Sequence, residues 1–248
     1  MEVIVENSYE EMSARTADMI VSSIRKNPQA LLCLAAGDTP RVAYTLVAER
    51  VAEEKIDLSR CKFVSLDEWV GIGADNPGSC RYFLRTTLFN PLGLSDNQLH
   101  LFNSLAPDLD KECRDMDGFI QTNNGIDLIV VGIGRNGHIG FNEPGVATNL
   151  HSHVVELDNT TKTVGQKYFN ETTALTQGIT LGLKHLLEAK QAILIANGKV
   201  KAEVIAQSVE GPVDISMPAS IMQQHSNGFV ILDKEAASGL KKRSAGQL

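Results

Sequence analysis

Apolar and polar positions along this chain switch between two periods. Met1-Glu2-Val3-Ile4-Val5 alternates and reads as a first strand. Residues 9–24 then place Met12, Met19, Ile20 and Ile24 at helical spacing, with Thr16 on the same face. Leu31-Leu32-Cys33-Leu34-Ala35 is apolar throughout and stops at Gly37, as expected of a strand covered on both faces. Pro40 suits the first turn of a helix that runs on through Tyr44, Leu46 and Val47. Further strands are expected at 62–66, 126–131, 192–196 and 229–232, and helices near 81–89, 111–122, 181–188 and 199–209. Short apolar strands alternating with amphipathic helices predict an α/β fold, a three-layer open, mainly parallel sheet with helices on both faces. No repeat, low-complexity tract or linker interrupts the pattern, so residues 1–248 are expected to form a single domain.

Open α/β sheets bind ligands beyond the carboxyl ends of their strands, so candidate chemistry is sought just after each apolar run. After the 31–35 run comes Ala36-Gly37-Asp38-Thr39-Pro40, a glycine turn into a helix start. Such a turn aims free N–H groups at an anion, with Thr39 as either a further donor or a plain N-cap. After the 62–66 run comes Asp67-Glu68-Trp69-Val70. Neighbouring strand residues face opposite ways, so one acid of this pair is expected to face the cleft; the alternative is a pair that caps the next helix. A cleft carboxylate with a raised pKa is suited to taking a proton from carbon.

After the 126–131 run comes Gly132-Ile133-Gly134-Arg135-Asn136-Gly137-His138-Ile139-Gly140-Phe141-Asn142-Glu143-Pro144-Gly145. It opens as G-x-G-x-x-G, but Gly140, Pro144 and Gly145 forbid the helix that a dinucleotide site requires. His138 and Glu143 on a glycine-rich loop instead fit proton transfer, the carboxylate stabilising the imidazolium. A zinc site would need a third ligand nearby, and none is seen. His100, His151, His153, His185 and His225 stand in no comparable context and read as structural or solvated.

Composition narrows the ligand. The net charge of −7 argues against a nucleic-acid partner. The one strongly basic run, Lys241-Lys242-Arg243, reads as a solvated end. Cys33, Cys61, Cys80 and Cys113 lack disulfide or zinc spacing. The first twenty residues carry Glu2, Glu6, Glu10 and Glu11, unlike a signal peptide, and no apolar run approaches a membrane span. A cytoplasmic protein with a small-molecule ligand and no membrane partner is expected.

The segments 36–40, 66–71 and 132–144 resemble the three signature segments of the glucosamine-6-phosphate deaminase family, and the similarity extends over residues 1–234. Leu66-Asp67-Glu68-Trp69-Val70, Pro77-Gly78-Ser79-Cys80, Pro91-Leu92-Gly93-Leu94 and residues 178–184 look closer to its galactosamine-6-phosphate branch. The resemblance implies isomerising deamination of a 2-amino-hexose 6-phosphate to the ketohexose 6-phosphate and ammonia, without metal or organic cofactor. It implies that His138, assisted by Glu143, opens the sugar ring, and that Asp67 moves a proton from carbon 2 to carbon 1. Gly37, Asp38 and Thr39 fall in the family's phosphate loop, and Lys201 matches a phosphate-contacting lysine. Glu68 adjoins the base without being it.

Three positions depart from parts of the family. Asn136 replaces an aspartate found in some members, leaving it only the role of orienting His138 by hydrogen bonding. Lys167 stands where some members place a phosphate-binding arginine, a point charge in place of a two-pronged donor. Asp38 replaces a small residue. Two rival readings are a 6-phosphogluconolactonase-type hydrolase and a catalytically silent sugar-phosphate-binding module. The first usually has arginine at the position of Trp69 and lacks the Phe141-Asn142-Glu143-Pro144 continuation; the second predicts a disrupted relay, whereas Asp67, His138 and Glu143 are all present. The family includes allosteric hexamers and monomers, so a homo-oligomer stays open, with no clear effector site in the sequence.

Overall fold

The computed structural model describes residues 1–241, so Lys242 and Arg243 of the basic run lie outside the described residues. Seven parallel strands form the main sheet in the order β1 (Glu2–Glu6), β10 (Gly228–Asp233), β9 (Ala192–Ala196), β6 (Leu128–Val131), β2 (Leu31–Leu34), β3 (Lys62–Val64) and β5 (Leu99–His100). Their continuous apolarity has a direct cause: successive side chains enter two different cores. Leu31 and Cys33 of β2, with Ile129 and Val131 of β6, pack beneath α4 (Leu109–Thr122), α6 (Leu183–Glu188) and α7 (Ala202–Glu210). Leu32, Leu34, Leu128 and Val130 pack on the other face against α1 (Tyr9–Lys26), α2 (Arg41–Glu53) and α3 (Cys80–Leu84), which continues as a π-turn over Arg85–Phe89. Each buried Leu, Ile or Val contributes roughly 1.5–3 kcal/mol.

Two of the long helices start where a side chain satisfies a free N–H group. Ser8 accepts from Glu11 N ahead of α1, and Asp108 from Lys111 N ahead of α4. Pro40 is the N-cap of α2, just outside its first turn, and its carbonyl accepts from Tyr44 N at 3.0 Å.

A second, three-stranded antiparallel sheet joins β4 (Asp67–Trp69), β8 (Gln177–Thr180) and β7 (His153–Glu156). Sequence periodicity did not anticipate it. The expected 62–66 strand therefore stops at Val64, and Asp67 begins a strand of another sheet. Trp69, Phe141, Leu157 and Leu175 form a small core with this sheet, Trp69 and Phe141 lying 4.6 Å apart between ring centroids. Gly178 has to be glycine, because a Cβ there would sit 2.3 Å from the Phe141 ring. Helix α5 (Asn159–Gly165) and a 3-10 turn over Gln166–Tyr168 follow β7.

In the main sheet the chain runs outward from β2 through β3 to β5 on one side, and from β6 through β9 to β10 on the other. The strand order thus reverses between β2 and β6, and the two loops that leave this switch point are 35–40 and 132–145. No helix among the described residues is long and apolar enough to cross a membrane.

Candidate active site

A cavity of about 410 Å³ opens at that switch point, and Gly37, Asp38, Thr39, Asp67, His138, Lys167 and Lys201 all line it. Asn136 and Glu143 do not; they stand behind His138. Seven of the nine residues singled out in the sequence therefore share one wall, and the other two support it.

The glycine-rich loop folds on itself to present His138. Gly134 N donates to His138 O at 2.9 Å, and Gly137 N to Gly134 O at 3.1 Å. The imidazole lies flat against Gly134, where a Cβ would come within 2.5 Å of three ring atoms. Its Nδ1 is 3.5 Å from Glu143 Oε2 and 3.0 Å from the Thr161 hydroxyl. With Nδ1 engaged on the protein side, Nε2 is the nitrogen left for the cavity.

Glu143 is only 4% exposed. Asn136 Nδ2 donates to its Oε2 at 2.9 Å, and Asp158 N donates to Oε1 at 3.2 Å. Burial pushes this carboxyl's pKa upward, but hydrogen bonding to His138 and the imidazole's charge, with Thr161 and Asn136, outweigh it and hold the pKa below the usual value. Asn136 hydrogen-bonds to both members of this pair: its Oδ1 accepts from the His138 backbone N at 3.3 Å, and its Nδ2 donates to the Glu143 carboxylate.

The adjacent acids divide their tasks, so both readings of the pair hold, one for each residue. Asp67 faces the cavity, and burial raises its pKa to about 6 against the Cys80 thiol's hydrogen bond and the nearby charge of His138. Glu68 points the other way and is 2% exposed. It accepts from Trp69 N at 2.9 Å, Cys80 N at 3.0 Å and Arg81 N at 2.8 Å, so it caps the start of α3. Burial pushes its pKa to about 7, against those three N–H donors.

Four cations, Lys167, Lys201, Arg41 and Arg135, also line the cavity, with Lys167 and Arg41 both flanking Asp38. Lys201 has its pKa lowered to about 8, first by burial and then by Lys167 and Arg135. The phosphate-loop side chains have other occupations. Asp38 Oδ2 accepts from Lys167 Nζ at 2.8 Å and its Oδ1 lies 3.6 Å from Arg41, so this carboxylate gathers cations and offers an anion nothing. Thr39 Oγ1 already donates to Asn197 Oδ1 at 2.8 Å. Gly37, at φ +124°, takes a conformation that residues with a Cβ rarely adopt, and the Tyr44 hydroxyl donates to Ala35 O at 2.6 Å to brace the loop's entry.

Sequence reasoning missed Thr161, Tyr168, Asn197 and Cys80 as neighbours of the site. Thr161 and Tyr168 come from the polar 159–168 stretch, which shows no clear period. Arg135 lay inside the glycine motif, and its place between two site glycines was the one available signal. Among the described residues, the grouping close enough to share a metal ion, His151, His185 and Glu188, lines no part of the cavity. Chemically, the arrangement can hold an anionic group on its cations and move protons through Asp67 and His138.

Relatives place the chain in a family. The chain is 37% identical over 242 residues to a glucosamine-6-phosphate deaminase of Clostridium botulinum, covering 97% of this chain and 99% of that protein. It is 37% identical over 239 residues to the enzyme of the same name from a Thermoanaerobacter species, covering 96% and 94%. A solved monomeric glucosamine-6-phosphate deaminase superposes with a TM-score of 0.93 at 33% identity, covering 96% of this chain and all of that one. The 6-phosphogluconolactonase of Trypanosoma cruzi shares the fold, with a TM-score of 0.78 at 21% identity over 97% of both chains. A family model described as glucosamine-6-phosphate isomerases/6-phosphogluconolactonase matches residues 5–231, and the chain belongs to that family.

Proposed function

We propose that the protein catalyses the isomerising deamination of a 2-amino-2-deoxyhexose 6-phosphate, giving the ketohexose 6-phosphate and ammonia. The observation that carries this reading is one cavity lined by Asp67 and His138 together with Lys167, Lys201, Arg41 and Arg135. The cations hold the phosphate together with the backbone N–H groups of the 37–39 turn. His138, with Glu143 behind Nδ1, carries the proton between the anomeric hydroxyl and the ring oxygen as the sugar opens. Asp67 then removes the proton from carbon 2 and returns it to carbon 1 through an enolamine. Water adds to the resulting imine at carbon 2, and ammonia leaves.

A lactonase has less use for this site. Lactone hydrolysis needs one base to activate water, whereas here a buried glutamate is fixed behind an imidazole by two further donors. A silent binding module has no use for the relay at all. The chain further reads as one domain, because Asp67 of the second sheet and the loops of the first complete one cavity. A cytoplasmic enzyme fits the four free cysteines.

The test is ammonia release from the purified chain. Glucosamine 6-phosphate comes first because the relatives carry that name, and galactosamine 6-phosphate second because of the branch-like segments at 66–70, 77–80 and 178–184. Turnover of either supports the reading and the ratio names the epimer; ammonia from neither, with hydrolysis of 6-phosphogluconolactone, transfers the protein to the rival class.

A further inference from the structure

We propose that His151, His185 and Glu188 form a binding site for a divalent transition-metal ion, Zn²⁺ first, separate from the cavity. In sequence His151 and His185 had no context, and the fold supplies it. One ligand atom from each of the three residues lies within 4.8 Å of the others. His151 Nε2 and Glu188 Oε2 are already 3.1 Å apart. Ligands bound to zinc at 2.0–2.2 Å in a tetrahedron stand about 3.3 Å from each other, so this edge of the polyhedron is in place. Closing the rest needs a shift of the exposed Glu188 and His151 side chains, which are 54% and 38% exposed.

The site is built by its surroundings. His185 and Glu188 are three apart on α6 and so share a face. His151 comes from the loop that enters β7, whose path is fixed at three points. Lys184 N donates to Leu150 O at 3.2 Å, Ser152 N to Asp117 Oδ1 at 3.1 Å, and His153 Nδ1 lies 2.9 Å from His151 O. Gly182 lets the loop approach, since a Cβ there would fall 2.0 Å from Leu150 O. Asp117 Oδ1 also stands 2.8 Å from His185 Nε2 and fixes that buried ring. A carboxylate behind a ligating imidazole is the usual outer partner of a metal-bound histidine.

The donor set selects the ion. Two imidazoles and one carboxylate suit zinc and its first-row neighbours, whereas calcium and magnesium prefer all-oxygen sites. The solvent side leaves room for water as a fourth ligand. Lys184 Nζ, 3.8 Å from Glu188 Oε1, is the competitor that the ion has to displace. A bound ion would clamp α6 to the loop entering β7, the edge strand of the second sheet on the side away from β4.

The test uses the full chain, stripped with a chelator and titrated with zinc chloride by calorimetry, with the melting temperature followed in parallel. One Zn²⁺ per chain and a raised melting temperature are expected. His151→Ala and Glu188→Gln, both at exposed side chains, should each weaken binding by at least the roughly 10–100-fold that even an outer partner is worth. Both should lose the zinc-induced stabilisation while melting like the wild type without metal. Lys184→Ala should bind at least as tightly. Wild type and both variants binding zinc equally, or no heat of binding up to about 1 mM zinc, overturns the proposal.

Discussion

A carboxylate at a cavity wall with its pKa raised to about 6 is mostly ionised at pH 7, yet poorly solvated in that form. The folded pKa of Asp67 lies above its ordinary value of 3.8, so the folded state holds this proton more tightly than the unfolded state. The folding penalty is absent below about pH 4, grows as pH rises, and is complete above about pH 6. Asp67→Asn should therefore raise stability at pH 7–8 by up to about 3 kcal/mol, a gain that vanishes near pH 4 in urea titrations. The same substitution should lower turnover by roughly 10²–10⁴-fold. The acid limb of the wild-type rate profile should lie near pH 6. Cys80→Ala removes a thiol that donates to the ionised carboxylate, so it should move that limb upward, and Cys80→Ser should restore it. At this scale the sequence was most readable where chemistry sat directly after an apolar run. Asp67, His138 and Glu143 announced themselves that way. Thr161 and Asn197 did not, because each meets its partner only through the fold, Asn197 across 158 residues from Thr39.

Helix α3 shows how an element and a site are joined. Its first N–H groups end on the Glu68 carboxylate, and Glu68 is the chain neighbour of Asp67. An amide offers one acceptor and turns a donor towards N–H groups, so Glu68→Gln should cost about 1–3 kcal/mol by denaturant unfolding. Turnover should fall with it, while phosphate-dependent binding at the cations should hold. The main sheet's strands were readable because each is a short run buried on both faces. The second sheet was not. Its strands are three or four residues long, and Leu66 and Thr180, which meet at its edge, lie 114 residues apart. Periodicity needs a longer window than such strands offer.

Across the whole molecule, a net charge of −7 coexists with a cavity lined by four cationic side chains. The global charge repels a sugar phosphate at long range, while the local cations attract it once inside a Debye length of roughly 8–10 Å. Lys201 is the sensitive member, with its pKa lowered to about 8. Above that pH it is neutral, so KM should climb through pH 8–9. Lys201→Arg, charged throughout, should flatten that rise, which initial-rate measurements across pH can check. Charge composition argued against a nucleic-acid partner but could not reveal this local reversal of sign.

The break at residues 65–66 puts Asp67 on one sheet, while the 35–40 loop and His138 leave the other. Any slip of one sheet against the other therefore displaces Asp67 relative to His138 and the 35–40 loop.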